Sequence, residues 1–189
     1  MSLKNLVDNS KTNKDTTNSY LDLYDKLLLQ KKETAKNILE IGIHYGGSIK
    51  LWADYFINAN IYAIDIMPID YVWEELIYKN NIILHCSTDA YDEEYFNYTL
   101  LQKNIKFDFV LDDGPHTLES MITFIKLYSQ LLTNDGILII EDVQSYDWLE
   151  PLIIATPDNL KNYIKAYDLR ENKNRYDDIV FTINKSLKK

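Results

Sequence analysis

Five short apolar runs, at residues 37–41, 60–64, 81–85, 107–111 and 136–140, recur along the chain, and each is followed by a stretch with helical spacing or a polar turn. The runs are too short for helices and nearly continuous in apolar side chains, as strands are when helices cover both faces of their sheet. Alternation of this kind predicts an α/β protein built on an open, mostly parallel sheet. Helices are expected at 48–56, 70–78, 92–101 and 118–132. Residues 163–169 and 178–183 instead alternate in polarity around a polar loop at 171–176. They read as a C-terminal antiparallel hairpin that brings the sheet to seven strands.

A length of 189 residues suits one domain. Residues 1–18 are rich in Lys, Asn, Asp and Thr and are expected to form a flexible N-terminal arm. The single domain then occupies 19–189, with Ser19 as N-cap of a helix carrying Tyr20, Leu23, Tyr24, Leu27 and Leu28. A net charge of −9 argues against a nucleic-acid partner. One cysteine and three histidines cannot supply an internal disulfide framework or a Cys/His zinc cage. With no long apolar run and no apolar leader, a cytoplasmic setting without a membrane partner is expected. A second copy of so short a chain could help cover a site, so a homodimer is compatible with the sequence.

Three of the five glycines fall in one stretch, Glu40-Ile41-Gly42-Ile43-His44-Tyr45-Gly46-Gly47-Ser48, between the first strand and the first helix. Such a turn lets backbone approach a ligand closely at a helix N-terminus. Its spacing is not the G-x-G-x-x-G of dinucleotide sites. The second strand ends in Asp65, where an acid can accept both hydroxyls of a ribose. These residues resemble the class I S-adenosylmethionine-dependent methyltransferases, whose E-x-G-x-x-x-G turn holds the methionine end of the cofactor. The resemblance implies a Rossmann-like fold, with Glu40, Gly42 and Gly46 on the methionyl side and Asp65 on the ribose. It also sets Thr88 and Asp89 near the adenine.

The fourth strand runs into Asp112-Asp113-Gly114-Pro115-His116 and the fifth into Ile140-Glu141-Asp142. Acids at the ends of neighbouring strands, about 4.8 Å apart, can converge on one cation. Hard oxygen ligands with positions left open suit Mg²⁺, then Mn²⁺. A histidine beside such a site can take the proton of a hydroxyl that the cation acidifies. Asp-Gly-x-His followed by Glu-Asp resembles the metal-dependent sugar O-methyltransferases of the mycinamicin and macrocin types. The stretch Thr12-Asn13-Lys14 with Tyr20 and Tyr24, which closes over the cofactor in that family, adds to the likeness.

By that resemblance Asp113, Glu141 and Asp142 are the metal ligands and His116 the general base, while Asp112 stays outside the set. Pro115 and Asn18 depart from the family, where Ser and His are common. The chain is also expected to lack the large N-terminal domain and the long insertions that choose the acceptor. The implied acceptor is a hydroxyl of a sugar, a glycan or a sugar-containing small molecule. Tyr146 and Trp148 offer an aromatic wall for such a ring. A catechol-like phenol, RNA or protein acceptor, or a catalytically degenerate binding module, are the competing readings.

Overall fold

The computed structural model describes residues 1–186. Its sheet contains β1 (Asn37–Ile41), β2 (Asn60–Ile64), β3 (Ile82–His85), β4 (Phe107–Asp112), β5 (Leu132–Ile140), β6 (Ile164–Asp168) and β7 (Ile179–Asn184). The strand order is β3-β2-β1-β4-β5-β7-β6. The first five strands run parallel, and β7 is antiparallel to both β5 and β6. The expected mixed seven-stranded sheet with its C-terminal hairpin is therefore present. The order reverses between β1 and β4, so their carboxyl ends flank the crevice where α/β folds bind ligands.

Successive strand residues feed two separate apolar layers. Ile38 and Phe109 join Trp52 and Phe56 on one face, whereas Leu39 and Val110 join Phe124 and Tyr128 on the other. This explains why the strands lack a polar alternation. The helices packed around the sheet are α1 (Leu21–Leu28), α2 (Gly47–Tyr55), α3 (Glu74–Ile77), α4 (Glu93–Phe96), α5 (Leu118–Tyr128), α6 (Leu149–Ala155) and α7 (Arg170–Lys173). Thr117 and Ser120 close a capping box at the start of α5. No helix among the described residues is long and apolar enough to cross a membrane.

Several local expectations give way to tertiary contacts. The helix expected at 70–78 is split into a 3₁₀ turn at Ile69–Tyr71 and the short α3. Between them the Trp73 N–H donates to Tyr45 O at 3.0 Å instead of continuing a helix, which ties this segment to the glycine turn. Strand β5 starts at Leu132, four residues before Gly136, where the helix expected to reach 132 has already ended. Gly136 sits where the β4–β5 register shifts, and a Cβ there would lie 3.0 Å from Phe107 O. It marks a bulge inside the strand and does not open it. The short helix α6 follows no apolar pattern read above.

The N-terminal residues are part of the fold. Leu3 is buried, and its N–H donates to the Asp25 carboxylate at 2.9 Å. Lys14 and Asn18 are buried as well. Ser19 does not cap α1. The N-cap is Tyr20, and the Ser19 hydroxyl donates to Asp178 Oδ2 at 2.9 Å. A polar composition suggested a free arm, but its polar groups find buried acids to pair with.

Candidate functional site

A cavity of about 960 Å³ opens at the carboxyl ends of β1, β2 and β4. The turn 42–48 forms one wall, Asp65 to Met67 and Thr88 to Tyr91 a second, and residues 113–116 with Asp142 a third. The N-terminal segment, from Asn9 to Thr16, covers it. Hydrogen bonding continues past the strand ends and aligns these walls. Asp113 N–H donates to Ile41 O at 2.9 Å, and Glu141 N–H donates to Asp112 O at 3.1 Å.

In the glycine turn, Gly42 has φ +93°, and a Cβ there would lie 2.0 Å from the backbone oxygen of Asp113. Only glycine lets the ends of β1 and β4 approach this closely. Asp65 organises the same turn. Its Oδ2 accepts from the N–H groups of Ile43 (2.6 Å) and His44 (2.9 Å), and its Oδ1 accepts from Met67 N–H (2.9 Å). Gly42, Asp65, Thr88 and Asp89 all line the cavity, whereas Glu40 and Gly46 do not. Glu40 is fully buried behind the wall, where Oε2 accepts from Trp52 Nε1 at 2.6 Å and Oε1 lies 3.5 Å from Lys14 Nζ. Burial lifts its carboxyl to about 7 against the opposing pull of Lys14.

On the acid side, Asp113, His116 and Asp142 offer ligand atoms within 4.8 Å of one another. The imidazole bridges the two acids, with Nε2 3.3 Å from Asp113 Oδ1 and Nδ1 3.2 Å from Asp142 Oδ2. His116 and Asp142 both take left-handed backbone, with φ of 55° and 52°. Such strain costs about 1–3 kcal/mol per residue and concentrates at functional sites. Burial would push the His116 imidazole down, but Asp113 and Asp142 hold it above its ordinary value. Asp112 is outside this group and accepts from Tyr91 Oη at 2.5 Å, and burial raises its carboxyl to about 6.

Glu141 is not in the group. Its oxygens accept from Lys14 Nζ at 2.6 Å and from Tyr24 Oη at 2.5 Å. Asp142 stays close by, since Tyr20, which pairs with Asp142, stacks on Tyr24, which pairs with Glu141. Lys14 sits between three carboxylates, with Nζ also 2.8 Å from Asp113 Oδ2. Burial opposes its charge, yet the carboxylates of Asp113, Glu141 and Glu40 outweigh that and raise the ammonium well above its ordinary range. Asp142 Oδ1 accepts from Asn18 Nδ2 at 2.8 Å and from Tyr20 Oη at 2.5 Å. The family resemblance brought Lys14, Tyr20 and Tyr24 to the site, but their pairings and that of Asn18 with individual acids were not readable from sequence. Tyr146 is exposed, and the Arg170 guanidinium lies 5.0 Å over its ring.

The sequence model of a methyltransferase-domain family matches residues 39–143. The chain is 26% identical over 131 residues to the Streptomyces olivaceus 8-demethyl-8-(2-methoxy-alpha-L-rhamnosyl)-tetracenomycin-C 3'-O-methyltransferase, covering 66% of this chain and 32% of that protein. It is also 26% identical over 132 residues to the mycinamicin VI 2''-O-methyltransferase of Micromonospora griseorubida, covering 66% of this chain and 31% of that protein. It thus spans about a third of the length of the curated relatives it matches. Among solved structures it is similar to the MycE methyltransferase of the mycinamycin biosynthetic pathway, in complex with Mg, SAH and mycinamycin VI. The TM-score is 0.75 at 19% identity, covering 97% of this chain and 54% of that one.

Proposed function

Because the chain belongs to the methyltransferase-domain family whose model matches residues 39–143, we propose that it is an S-adenosylmethionine-dependent O-methyltransferase assisted by Mg²⁺ or Mn²⁺. The proposed acceptor is a hydroxyl of a sugar or of a sugar-containing small molecule, the class named for the relatives. The observation that carries this reading is the single cavity shared by the glycine turn with Asp65 and by the Asp113–His116–Asp142 group.

The cofactor sulfonium supplies the methyl group, and the divalent cation supplies positive charge that makes an acceptor hydroxyl more acidic. The backbone of Gly42 and the Asp65 carboxylate would bind the methionyl and ribose ends, with Thr88 and Asp89 beside the adenine. Asp113 and Asp142 would hold the cation, since each presents one carboxylate oxygen within the 4.8 Å group. Two anionic oxygens beside a part-exposed imidazole are a donor set that fits a hard cation with open positions. Glu141 offsets the positive charge of Lys14, which lies against Asp113. His116 would accept the hydroxyl proton at a ring nitrogen and hold it on the cavity side. The N-terminal segment would exclude water from above.

Calorimetric titration with S-adenosylhomocysteine, followed by transfer of labelled methyl to a panel of glycosides, tests this reading. Binding, Mg²⁺-dependent transfer and a loss of about 10²–10⁴-fold in His116→Ala are expected. Absence of cofactor binding would overturn the enzymatic reading. Full transfer in EDTA would overturn the metal.

A further inference from the structure

The two acids that face His116 are each held by one oxygen only. Asp113 keeps Oδ2 on Lys14 Nζ at 2.8 Å and turns Oδ1 toward His116. Asp142 keeps Oδ1 on Asn18 Nδ2 (2.8 Å) and Tyr20 Oη (2.5 Å) and turns Oδ2 toward His116. All three donors come from residues 14–20, and all three are buried. The acids they grip lie some hundred residues away in sequence, with separations of 99, 124 and 122. A buried carboxylate oxygen already accepting such bonds is poorly available to a cation, because releasing it would leave a buried donor unsatisfied.

We propose that Lys14, Asn18 and Tyr20 are positioning residues that restrict Asp113 and Asp142 to one ligand oxygen each, and so select a small six-coordinate cation over Ca²⁺. The selection follows from coordination chemistry. Mg²⁺ and Mn²⁺ are served by few carboxylate oxygens plus water, whereas Ca²⁺ takes six to eight oxygens and readily uses both oxygens of a carboxylate. Orientation of a ligand by its outer hydrogen bonds is a general means of tuning metal sites. The inference rests on the metal-assisted reading above and names residues that do not themselves touch the cation.

The test is metal binding by the full chain, read without turnover. Mn²⁺ affinity is measured from loss of the free-ion electron paramagnetic resonance signal, and Ca²⁺ affinity by competition against it. Cofactor-product binding and the urea midpoint are recorded alongside. In the Asn18→Ala/Tyr20→Phe double variant, both oxygens of Asp142 become available, and the ratio of Mn²⁺ to Ca²⁺ affinity should fall by about fivefold or more. S-adenosylhomocysteine binding should persist. A ratio within about twofold of the wild type would overturn the proposal, because a purely structural role weakens both metals alike. If the double variant does not fold, Tyr20→Phe alone carries the same reading, with a smaller shift in the same direction. A wild-type chain that binds S-adenosylhomocysteine but not Mn²⁺ also overturns the inference, whereas one that binds neither overturns the proposed function itself.

Discussion

The two halves of the cavity are built in opposite ways. The wall made by β1 and β2 is assembled from groups near one another in sequence. Asp65 reaches back only 22 residues to grip the Ile43 N–H, and the rest is backbone geometry at Gly42. The wall made by β4 and β5 depends on distant side chains. Lys14 pairs with Asp113 and Glu141 across separations of 99 and 127, and Tyr24 pairs with Glu141 across 117. The first wall needs one acid, Asp65, whose oxygens are met by the neighbouring backbone N–H groups of Ile43, His44 and Met67. A cluster of buried acids repels itself, and only charges or donors brought from elsewhere make it stable.

Replacing Lys14 should strain this contrast most. Lys14→Met leaves Glu40, Asp113 and Glu141 without their internal cation, and urea unfolding at neutral pH should show a loss of about 3–5 kcal/mol. A loss under about 1 kcal/mol would mean that the acids are balanced by other groups. On the other wall, Gly42→Ala forces a Cβ against the Asp113 backbone, at a cost of about 1–3 kcal/mol. Its distinguishing result is in calorimetry, where S-adenosylhomocysteine binding should weaken far more than Mn²⁺ binding. Equal weakening of both would show that the two walls do not act separately.

The smallest effect sharpens the comparison by pH. His85 ends β3 on the cofactor side, and burial, with a lesser push from Lys103, lowers its imidazole below the ordinary value. The unfolded chain then binds the proton more readily than the folded one. Stability is unaffected above about pH 6.5 and falls as the pH drops from there toward the lowered folded value. His85→Asn should remove that decline, which solvent screening keeps under about 1 kcal/mol, as read from urea midpoints at pH 7.5 and 5.5. An identical decline in the variant would show that His85 is not its source.

Much of the fold was legible because strand composition is dictated by burial on two faces. Ile38, Leu39, Phe109 and Val110 read as strand for that reason, and they fill both layers. The short segments failed where one contact outweighed periodicity. Trp73 gives its N–H to Tyr45, breaking the expected second helix, and Gly136 serves a bulge inside β5. In the candidate site, Gly42, Asp65, Asp113, His116 and Asp142 were all named by motif and strand position, and they meet at one cavity. Glu141 was placed among the metal ligands by the family resemblance of the Glu-Asp pair that follows the fifth strand. In the structure Glu141 is taken up by Lys14 and Tyr24 and stays out of the Asp113–His116–Asp142 group.

The sequence by itself determined the parallel sheet, the glycine turn and the list of acids at the strand ends, since each follows from local composition and spacing. Only the tertiary structure decided which oxygen of each acid faces the cavity. That choice is made by Lys14, Asn18 and Tyr20, which lie on a polar segment and at the start of a first helix with no periodic signal pointing to β4 or β5. Side-chain partners separated by a hundred residues are set by packing and by charge balance in a water-poor interior. Neither is written in any local window of the chain.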